Sequence, residues 1–327
     1  MKNFAYAAPR SEGEVLELLS DEPGKVEILA GGTDIMALLK KMVVTPDLVV
    51  NIMEVPSLQT IEPIEDGGVM IGAAVTLDEV LASQYLEDYR AITDAILGIN
   101  SMQLQCQGTL GGEICQRARC WYFRNGKGLT APDVENGDNR FHAILGNSGP
   151  AKFVSGSRIA PALIALDATV RVIGPGEEEE ELLPIADFFR APRNESQRET
   201  VLEPNQFLTH IVLPPSKGLQ SATYEVRQGA GPEYPLASAA ASLKLELGIV
   251  KEAKIVMGQV APTPWISDDA AEVIRGLSID ETVAEAAGEA AVARATPLSE
   301  NEYKVQLAKV AVKRAVLLAA GLQTGGF

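Results

Sequence analysis

The sequence is poor in the residue types on which hydrolytic and metal chemistry usually depend. Its 327 residues include two histidines and three cysteines, and aromatic residues make up 5% of the chain. Neither histidine, His142 or His210, stands beside a nucleophile motif such as Gly-x-Ser-x-Gly, so a Ser-His-Asp hydrolase has no support. The fingerprint Gly-x-Gly-x-x-Gly is also missing, which argues against a Rossmann-type NAD domain.

Positive charge and long apolar runs are scarce as well. The chain has 28 Lys and Arg against 44 Asp and Glu, a formal net charge of −16. Without a basic run to offset this charge, nucleic acids and anionic membranes are unfavourable partners. No uninterrupted apolar stretch is long enough to span a membrane, and the first residues lack the apolar core of a secretory signal. We therefore expect a soluble, cytoplasmic protein.

The cysteines do not form a recognisable metal motif. Cys106, Cys115 and Cys120 are too few and too close in sequence for a disulfide framework. Their spacing matches no complete zinc site, and three thiolates without a fourth make a weak cluster site. His142 could complete a set, but a single histidine in an apolar run is more often a packed side chain. We predict no metal site.

Two glycine-rich turns are the most informative features that the sequence does contain. The first, Ala-Gly-Gly-Thr-Asp at 30–34, directly follows a β-like run at 26–29, and the second is Gly-Thr-Leu-Gly-Gly-Glu at 108–113. Glycine permits positive φ and lets backbone N–H groups converge on phosphate oxygens. Either pair alone could be an ordinary turn. Together they predict a cradle for one large anionic ligand, and a flavin dinucleotide is the leading candidate.

Capping residues predict that each turn lies near a helix N-terminus. Thr33 or Asp34 can cap a helix over 35–41, which would direct the N-terminus of that helix at a bound phosphate. Thr76, with Glu79 three residues later, forms a capping box for a further short helix.

The chain is long enough for two or three domains, and 46% of its residues are hydrophobic. Residues 121–149 are rich in Gly, Asn and Asp and are predicted to form a long loop or insertion. A Pro-Pro-Ser-Lys-Gly segment at 214–218 marks a boundary. The remainder, with Ala-rich helical patterns near 281–294 and 301–320, is typical of an α+β domain.

Six sequence blocks, in order along nearly the whole chain, resemble the FAD-binding medium subunits of molybdenum hydroxylases, the flavoprotein family of xanthine dehydrogenase and carbon monoxide dehydrogenase. The blocks are AGGTD at 30–34, IGAAVT at 71–76, TLGG at 109–112, APAL at 160–163, VAPTPW at 260–265 and NEYK at 301–304.

The resemblance implies an α+β fold with two domains. A two-part FAD-binding domain of the PCMH or vanillyl-alcohol-oxidase type would occupy residues 1–215, with subdomains at about 1–55 and 56–215 and the loop insertion at about 121–150. A smaller α+β domain, like the C-terminal domain of CO dehydrogenase flavoprotein, would occupy residues 216–327.

The resemblance also implies a function and partners. The chain would be an oxidoreductase subunit that binds FAD and joins a molybdopterin-binding large subunit and a small subunit with 2Fe–2S clusters. Electrons would run from the substrate at molybdenum through the clusters to FAD, and then to an external acceptor. Two alternatives remain open: a self-sufficient FAD-dependent oxidoreductase, and a scaffold subunit that has lost FAD.

The residues expected to bind FAD follow from the same resemblance. Residues 29–35 would wrap the pyrophosphate and ribityl region, Thr76 and the second turn would complete the cradle, and Arg227 stands where the family commonly has a cation near the flavin. The full set is Leu29, Ala30, Gly31, Gly32, Thr33, Asp34, Ile35, Thr76, Thr109, Gly111, Gly112, Glu113, Ile159 and Arg227. No catalytic residue is predicted.

Two positions depart from the family pattern near the expected ligand. Glu113 stands where the family usually has Asn, which would bring an anion close to the phosphates. Arg158 stands where the family commonly has Asp. Either change could weaken FAD binding.

A third departure concerns the insertion. The segment from Cys115 to Arg124 is similar to the branch whose flavin subunit carries an extra [4Fe–4S] cluster. That branch would need further cysteines in the loop and one directly after Pro150. This chain has Ala151 there and no cysteine in 121–150. Because such a cluster needs about four thiolates, we predict that it is absent.

Overall fold

Three β-sheets organise residues 1–324, the part of the chain that the computed structural model describes. Each sheet has its own apolar core, and helices pack around and between the sheets. The helices of this part are α1 (Glu12–Leu18), α2 (Ile35–Lys40), α3 (Leu77–Ala82), α4 (Arg90–Leu97), α5 (Met102–Gln107), α6 (Leu110–Ile114), α7 (Trp121–Arg124), α8 (Ala160–Ala165), α9 (Ile185–Phe188), α10 (Asp268–Ile274), α11 (Glu281–Val292) and α12 (Tyr303–Ala319).

The first sheet is small and parallel, with its strands in the order β1-β3-β2. The strands are β1 (Ala5–Ala7), β2 (Val26–Leu29) and β3 (Leu48–Asn51). Helices α1 and α2 make the crossovers that parallel strands require. Val15 of α1 and Val50 of β3 are completely buried in the core that these elements share. This packing fixes the carboxyl end of β2, from which the first glycine turn emerges.

The second sheet is antiparallel, in the order β4-β5-β8-β6-β7. Its strands are β4 (Ile61–Pro63), β5 (Val69–Gly72), β6 (Thr169–Ile173), β7 (Glu180–Pro184) and β8 (Phe207–Leu213). Every residue of α8 is buried, because this short apolar helix fills the space between the second and third sheets. The largest apolar core surrounds this sheet and also includes residues of the third.

The third sheet is antiparallel, in the order β12-β11-β10-β9. Its strands are β9 (Leu219–Val226), β10 (Ala237–Glu246), β11 (Ile249–Gly258) and β12 (Trp265–Ile266). Residues 237–243, all alanine, serine or leucine, are buried because both faces of the sheet are covered. Helix α12 packs against β9 and β10, while α4 and α8 contact the sheet from the other core. Small side chains allow this double coverage, which joins the C-terminal part of the chain to the rest.

The predicted helices next to the turns are present, with two differences. Helix α3 has the expected capping box: the backbone N–H of Thr76 donates to Glu79 Oε2 at 2.8 Å. Asp34 occupies the N-cap position of α2, but its side chain makes no capping hydrogen bond. The second glycine turn is the first turn of α6, where Thr109 Oγ1 accepts a hydrogen bond from Gly112 N at 3.1 Å.

The insertion at 121–150 is irregular but packed. It contains α7 and a single 3-10 turn at Pro132–Val134 within the described residues. Buried Phe123 and Leu129 meet Ala151 and Phe153 in a small apolar cluster of their own. Among the helices of residues 1–324, none combines the length and hydrophobicity that a membrane span needs.

Candidate cofactor-binding cleft

The two glycine turns lie against each other. A Cβ built on Gly31 would stand 1.6 Å from the carbonyl oxygen of Gln107 and 3.3 Å from Gly108 Cα. Only glycine fits at this contact, because any side chain would collide with the backbone that enters the second turn. The two turns therefore form one wall of a single cleft, which we call the main cleft.

The first turn presents free hydrogen-bond donors. Gly32 has φ +73°, a conformation that favours glycine. The backbone N–H groups of 31–34 make no hydrogen bond to another backbone group within the described residues. Helix α2 begins directly afterwards, at Ile35. A run of unpaired N–H groups in a turn with an αL residue suits an anion such as a phosphate.

The second turn has a structural role and does not present free N–H groups to a ligand. Gly111 N donates to the carbonyl oxygen of Ala73 at 2.9 Å, and Gly112 N donates to Thr109 Oγ1 at 3.1 Å. A Cβ on Gly111 would lie 2.6 Å from Ala73 Cβ. We expected the N–H groups of both turns to face the ligand, but those of Gly111 and Gly112 are used inside the protein. The second turn lets α6 approach strand β5 closely and so shapes the cleft.

Nine of the predicted residues line the main cleft. They are Ala30, Gly31, Gly32, Thr33, Asp34, Ile35, Thr109, Gly111 and Gly112. The first sheet and the start of β8 form another part of the wall, and most of the residues there are apolar. Its apolar residues include Leu19, Val26, Ile28, Leu38, Ile52, Phe207 and Leu208. This combination of free N–H groups and apolar surface suits a ligand that carries both phosphates and aromatic rings.

Asp34 ties the first turn to the segment before the insertion. Its carboxylate is 2.8 Å from Arg119 Nη1 and 2.6 Å from Arg124 Nη2, and it accepts a hydrogen bond from Arg117 N at 2.9 Å. All three of these donor atoms come from the loop and helix that follow α6. No local motif marks these arginines, because their partner lies more than 80 residues away in the chain.

Five predicted residues lie outside the lining of the main cleft: Glu113, described below, and four others. Leu29 ends β2, and Thr76 faces Thr109 in an isolated antiparallel bridge. Ile159 is completely buried at the start of α8. Arg227 Nη1 donates to the carbonyl oxygen of Gly98 at 2.6 Å and is outside the lining of the main cleft. Thr76 thus supports the second turn from behind, since its bridge partner lines the cleft.

Glu113 and Arg158, the two departures from the family pattern, contact each other. Glu113 Oε1 accepts a hydrogen bond from Arg158 N at 2.7 Å, and Glu113 Oε2 accepts one from Gln116 Nε2 at 2.7 Å. Burial raises the pKa of the Glu113 carboxyl to about 7. The Arg158 side chain, 2% exposed, pairs with Glu225. Both groups are therefore satisfied by the protein, and neither lines the main cleft.

A smaller side pocket adjoins the main cleft and shares Thr33, Asp34 and Gly112 with it. Tyr234, from the loop between β9 and β10, lies in this pocket with its ring centroid 4.3 Å from the Arg119 guanidinium carbon. Its hydroxyl donates to Gln116 Oε1 at 2.8 Å, and burial raises the pKa of that hydroxyl. Sequence reasoning missed Tyr234, because no motif marks the loop that carries it.

The three cysteines do not converge on one site. Cys106 is exposed, and Cys115 lines the main cleft, where burial raises the pKa of its thiol to about 12. Cys120 Sγ lies 3.2 Å from His142 Nε2. Ala151 packs in the apolar cluster of the insertion. Across residues 1–324, no three His, Cys, Asp or Glu side chains are grouped to hold a metal ion. These residues do not fit a [4Fe–4S] cluster.

Two family models match the chain and decide its membership. A model described as the FAD binding domain in molybdopterin dehydrogenase matches residues 2–216, and one described as the CO dehydrogenase flavoprotein C-terminal domain matches residues 222–319. The chain belongs to the family of FAD-binding subunits of the molybdenum hydroxylases. The predicted α+β fold class and the predicted cofactor, FAD, are confirmed for this FAD-binding subunit.

Individual relatives agree with the family models. The FAD-binding subunit of aldehyde oxidoreductase from Escherichia coli strain K12 is 30% identical over 94% of this chain and 96% of its own length. The carbon monoxide dehydrogenase medium chain of Afipia carboxidovorans is 26% identical over 96% of both. Among solved structures, reconstituted CO dehydrogenase from Oligotropha carboxidovorans superposes with a TM-score of 0.77 at 23% identity, covering 98% of this chain and 99% of that one.

Proposed function

We propose that this FAD-binding subunit transfers electrons within a larger molybdenum hydroxylase. It would receive them from the 2Fe–2S clusters of a small partner subunit, after substrate oxidation at a molybdopterin-binding large subunit, and would pass them to an external acceptor. The names of its relatives support this: they are subunits or medium chains of enzymes that act on aldehydes, carbon monoxide and xanthine. A common subunit among enzymes with different substrates fits a shared electron-transfer role.

The main cleft is the observation that supports this proposal most strongly. The free N–H groups of 31–34 would bind the diphosphate of FAD, and the apolar wall would take its aromatic rings. FAD, when bound, supplies the electron-transfer chemistry. The chain's own residues hold and orient it and exclude water. Thr109, Gly111 and Gly112 would shape the cleft, while Thr76, Glu113, Ile159 and Arg227 would act from outside its lining as supporting residues.

We also propose that the chain divides into a FAD-binding domain at 1–215 and a C-terminal domain at 216–327. The ranges of the two family models, 2–216 and 222–319, support this division. So does the separate apolar core that β9, β10 and β11 share with α10, α11 and α12.

The contacts of Glu113 and Arg158 argue against a scaffold subunit that has lost FAD. That alternative depended on Glu113 and Arg158 disturbing the phosphate site. The Glu113 carboxylate instead accepts from the Arg158 backbone N–H at 2.7 Å, and the Arg158 guanidinium pairs with Glu225. Neither charge enters the main cleft, so we expect FAD to bind.

Purification tests the proposal in two steps. The chain expressed alone should bind close to one FAD, seen as flavin absorbance between 350 and 500 nm, and should contain no stoichiometric iron or sulfide. Co-expressed with the two neighbouring subunits of its enzyme, it should elute with both. A chain that stays colourless after incubation with FAD would support the scaffold instead. A chain that oxidises substrate alone, without molybdenum, would support the self-sufficient oxidoreductase.

A further inference from the structure

Part of the wall of the main cleft is formed by the segment between α9 and β8. Three arginines within the described residues line the cleft, and two of them have carboxylate partners. Arg117 Nε lies 2.8 Å from Glu199 Oε2, and Arg198 pairs with Glu27. These two charges are neutralised before any ligand arrives. Arg190 is the third.

Arg190 differs from the other two because its charge has no carboxylate partner among the described residues. Its Nε is buried and makes no hydrogen bond in the part of the chain that the structure describes. No carboxylate of residues 1–324 lies within ion-pair distance of its guanidinium. Leaving a buried donor unsatisfied costs about 1 to 3 kcal/mol, and more when the group is charged. An arginine with an unsatisfied donor in a cleft wall is suited to binding an anionic ligand.

Backbone contacts on both sides of Arg190 fix the position of its main chain in the cleft wall. Arg190 N donates to the carbonyl oxygen of Glu199 at 2.8 Å, and Phe189 pairs with Thr200 in an antiparallel bridge. Phe188, directly before this bridge, is completely buried.

Glu199 connects Arg190 to the glycine turns. Its carboxylate pairs with Arg117 and also accepts a hydrogen bond from Ala118 N at 2.8 Å. Arg117 N in turn donates to Asp34 at the end of the first turn. Two residues therefore link Arg190 to the end of the first turn, and Arg190 and residues 31–34 all line the main cleft.

We propose that Arg190 binds the diphosphate of FAD, an inference that rests on the proposed function. The diphosphate is the anionic part of FAD, and it enters a chain with a formal net charge of −16. Backbone N–H groups supply dipoles but no net charge. The guanidinium supplies a full positive charge and a planar set of donors that matches phosphate oxygens.

The test compares flavins that do and do not carry phosphate. FAD and riboflavin are titrated into the wild-type chain and into Arg190→Gln, with Arg190→Lys as the conservative variant. Arg193→Gln, which removes an exposed arginine from the same segment, is the matched control. We expect Arg190→Gln to raise the Kd of FAD about tenfold and to leave the Kd of riboflavin unchanged. Arg190→Lys should lose less, and Arg193→Gln should bind both flavins as the wild type does.

Thermal unfolding of the flavin-free chain adds a second readout. Arg190→Gln should unfold at the wild-type temperature or above it, because it removes a buried N–H donor that has no partner among the described residues. A structural arginine would lower that temperature. The inference is overturned if Arg190→Gln binds FAD as tightly as the wild type, or if it loses FAD and riboflavin equally. A wild-type chain that binds neither flavin would instead overturn the proposed function.

Discussion

The contacts of Glu113 decide whether this departure from the family pattern affects FAD binding. Its carboxyl accepts hydrogen bonds from Arg158 N and from Gln116 Nε2, both at 2.7 Å. It borders the side pocket and not the main cleft. Sequence reasoning placed a negative charge beside the phosphates because the residue follows two cleft glycines. The helical geometry of α6 turns the side chain away from them.

Glu113→Gln is therefore expected to leave the Kd of FAD within about twofold of the wild-type value. It should change the pH dependence of stability, because the pKa of the folded carboxyl is raised from 4.5 to about 7. A raised carboxyl pKa stabilises the folded state at low pH, and this contribution is lost as pH rises from 4.5 to about 7. Between pH 5 and pH 8, the free energy of unfolding of the wild type should fall relative to the variant by about 2 kcal/mol.

Chemical denaturation at several pH values measures this difference. Glu178→Gln, in the exposed acidic turn before β7, is the matched control and should track the wild type at every pH. Parallel curves for Glu113→Gln and wild type would contradict the account. So would tighter FAD binding by Glu113→Gln, since that would mean the carboxylate acts on the phosphates.

At the scale of elements, the shape of the cleft depends on two close contacts, one made by the first turn and one made by α6. Gly31 meets the backbone of Gln107, and Gly111 meets Ala73 after strand β5. Each contact is possible only because the residue at one position has no side chain. Glycine in the first turn leaves N–H groups free for a ligand. Glycine in the second turn allows α6 to pack closely against the residues that follow β5.

Gly31→Ala should separate the two turns, because its Cβ would stand 1.6 Å from the Gln107 carbonyl oxygen. We expect at least a tenfold weaker affinity for FAD, about 1.4 kcal/mol, and a lower melting temperature. Gly149→Ala is the control, since its Cβ would meet nothing within 4 Å. Isothermal titration and thermal unfolding measure both effects. Unchanged FAD affinity in a folded Gly31→Ala variant would show that the contact between the turns is not needed.

Local sequence signals predicted the elements, but not the long-range contacts of the site. The strand before the first turn, α2 and α3 follow from periodicity and capping, which depend on residues a few positions apart. The bonds from Asp34 to Arg119 and Arg124 join segments more than 80 residues apart, and Arg190 enters the cleft from another segment again. Nothing local in the sequence distinguishes Arg190 from Arg193. Only the folded chain shows that Arg190 Nε is buried without a partner within residues 1–324.

At the scale of the whole molecule, helix α12 holds the insertion against the C-terminal part. Lys304 is 1% exposed, and its Nζ donates to the carbonyl oxygens of His142 at 3.0 Å and Gln259 at 2.7 Å. Burial lowers the pKa of this lysine to about 7. Asn301 Nδ2 donates to the same His142 carbonyl at 3.1 Å. The insertion is thus held by hydrogen bonds at one end and by the apolar cluster around Phe153 at the other.

Lys304→Met should remove the first of these attachments and leave buried carbonyl oxygens without their donor. We expect a loss of about 2 kcal/mol of unfolding free energy, and faster amide hydrogen exchange over 139–147. FAD affinity should persist, because Lys304 is outside the lining of the main cleft. Lys251→Met, which changes a half-exposed lysine, is the control. Unchanged exchange in Lys304→Met would contradict this role.

A crystal structure of the chain with FAD bound would show directly where the diphosphate of FAD lies. We expect phosphate oxygens at hydrogen-bond distance, about 2.7–3.2 Å, from N–H groups of residues 31–34, with the Arg190 guanidinium on the same phosphates. A diphosphate bound elsewhere on the chain, with the first glycine turn empty, would contradict this expectation.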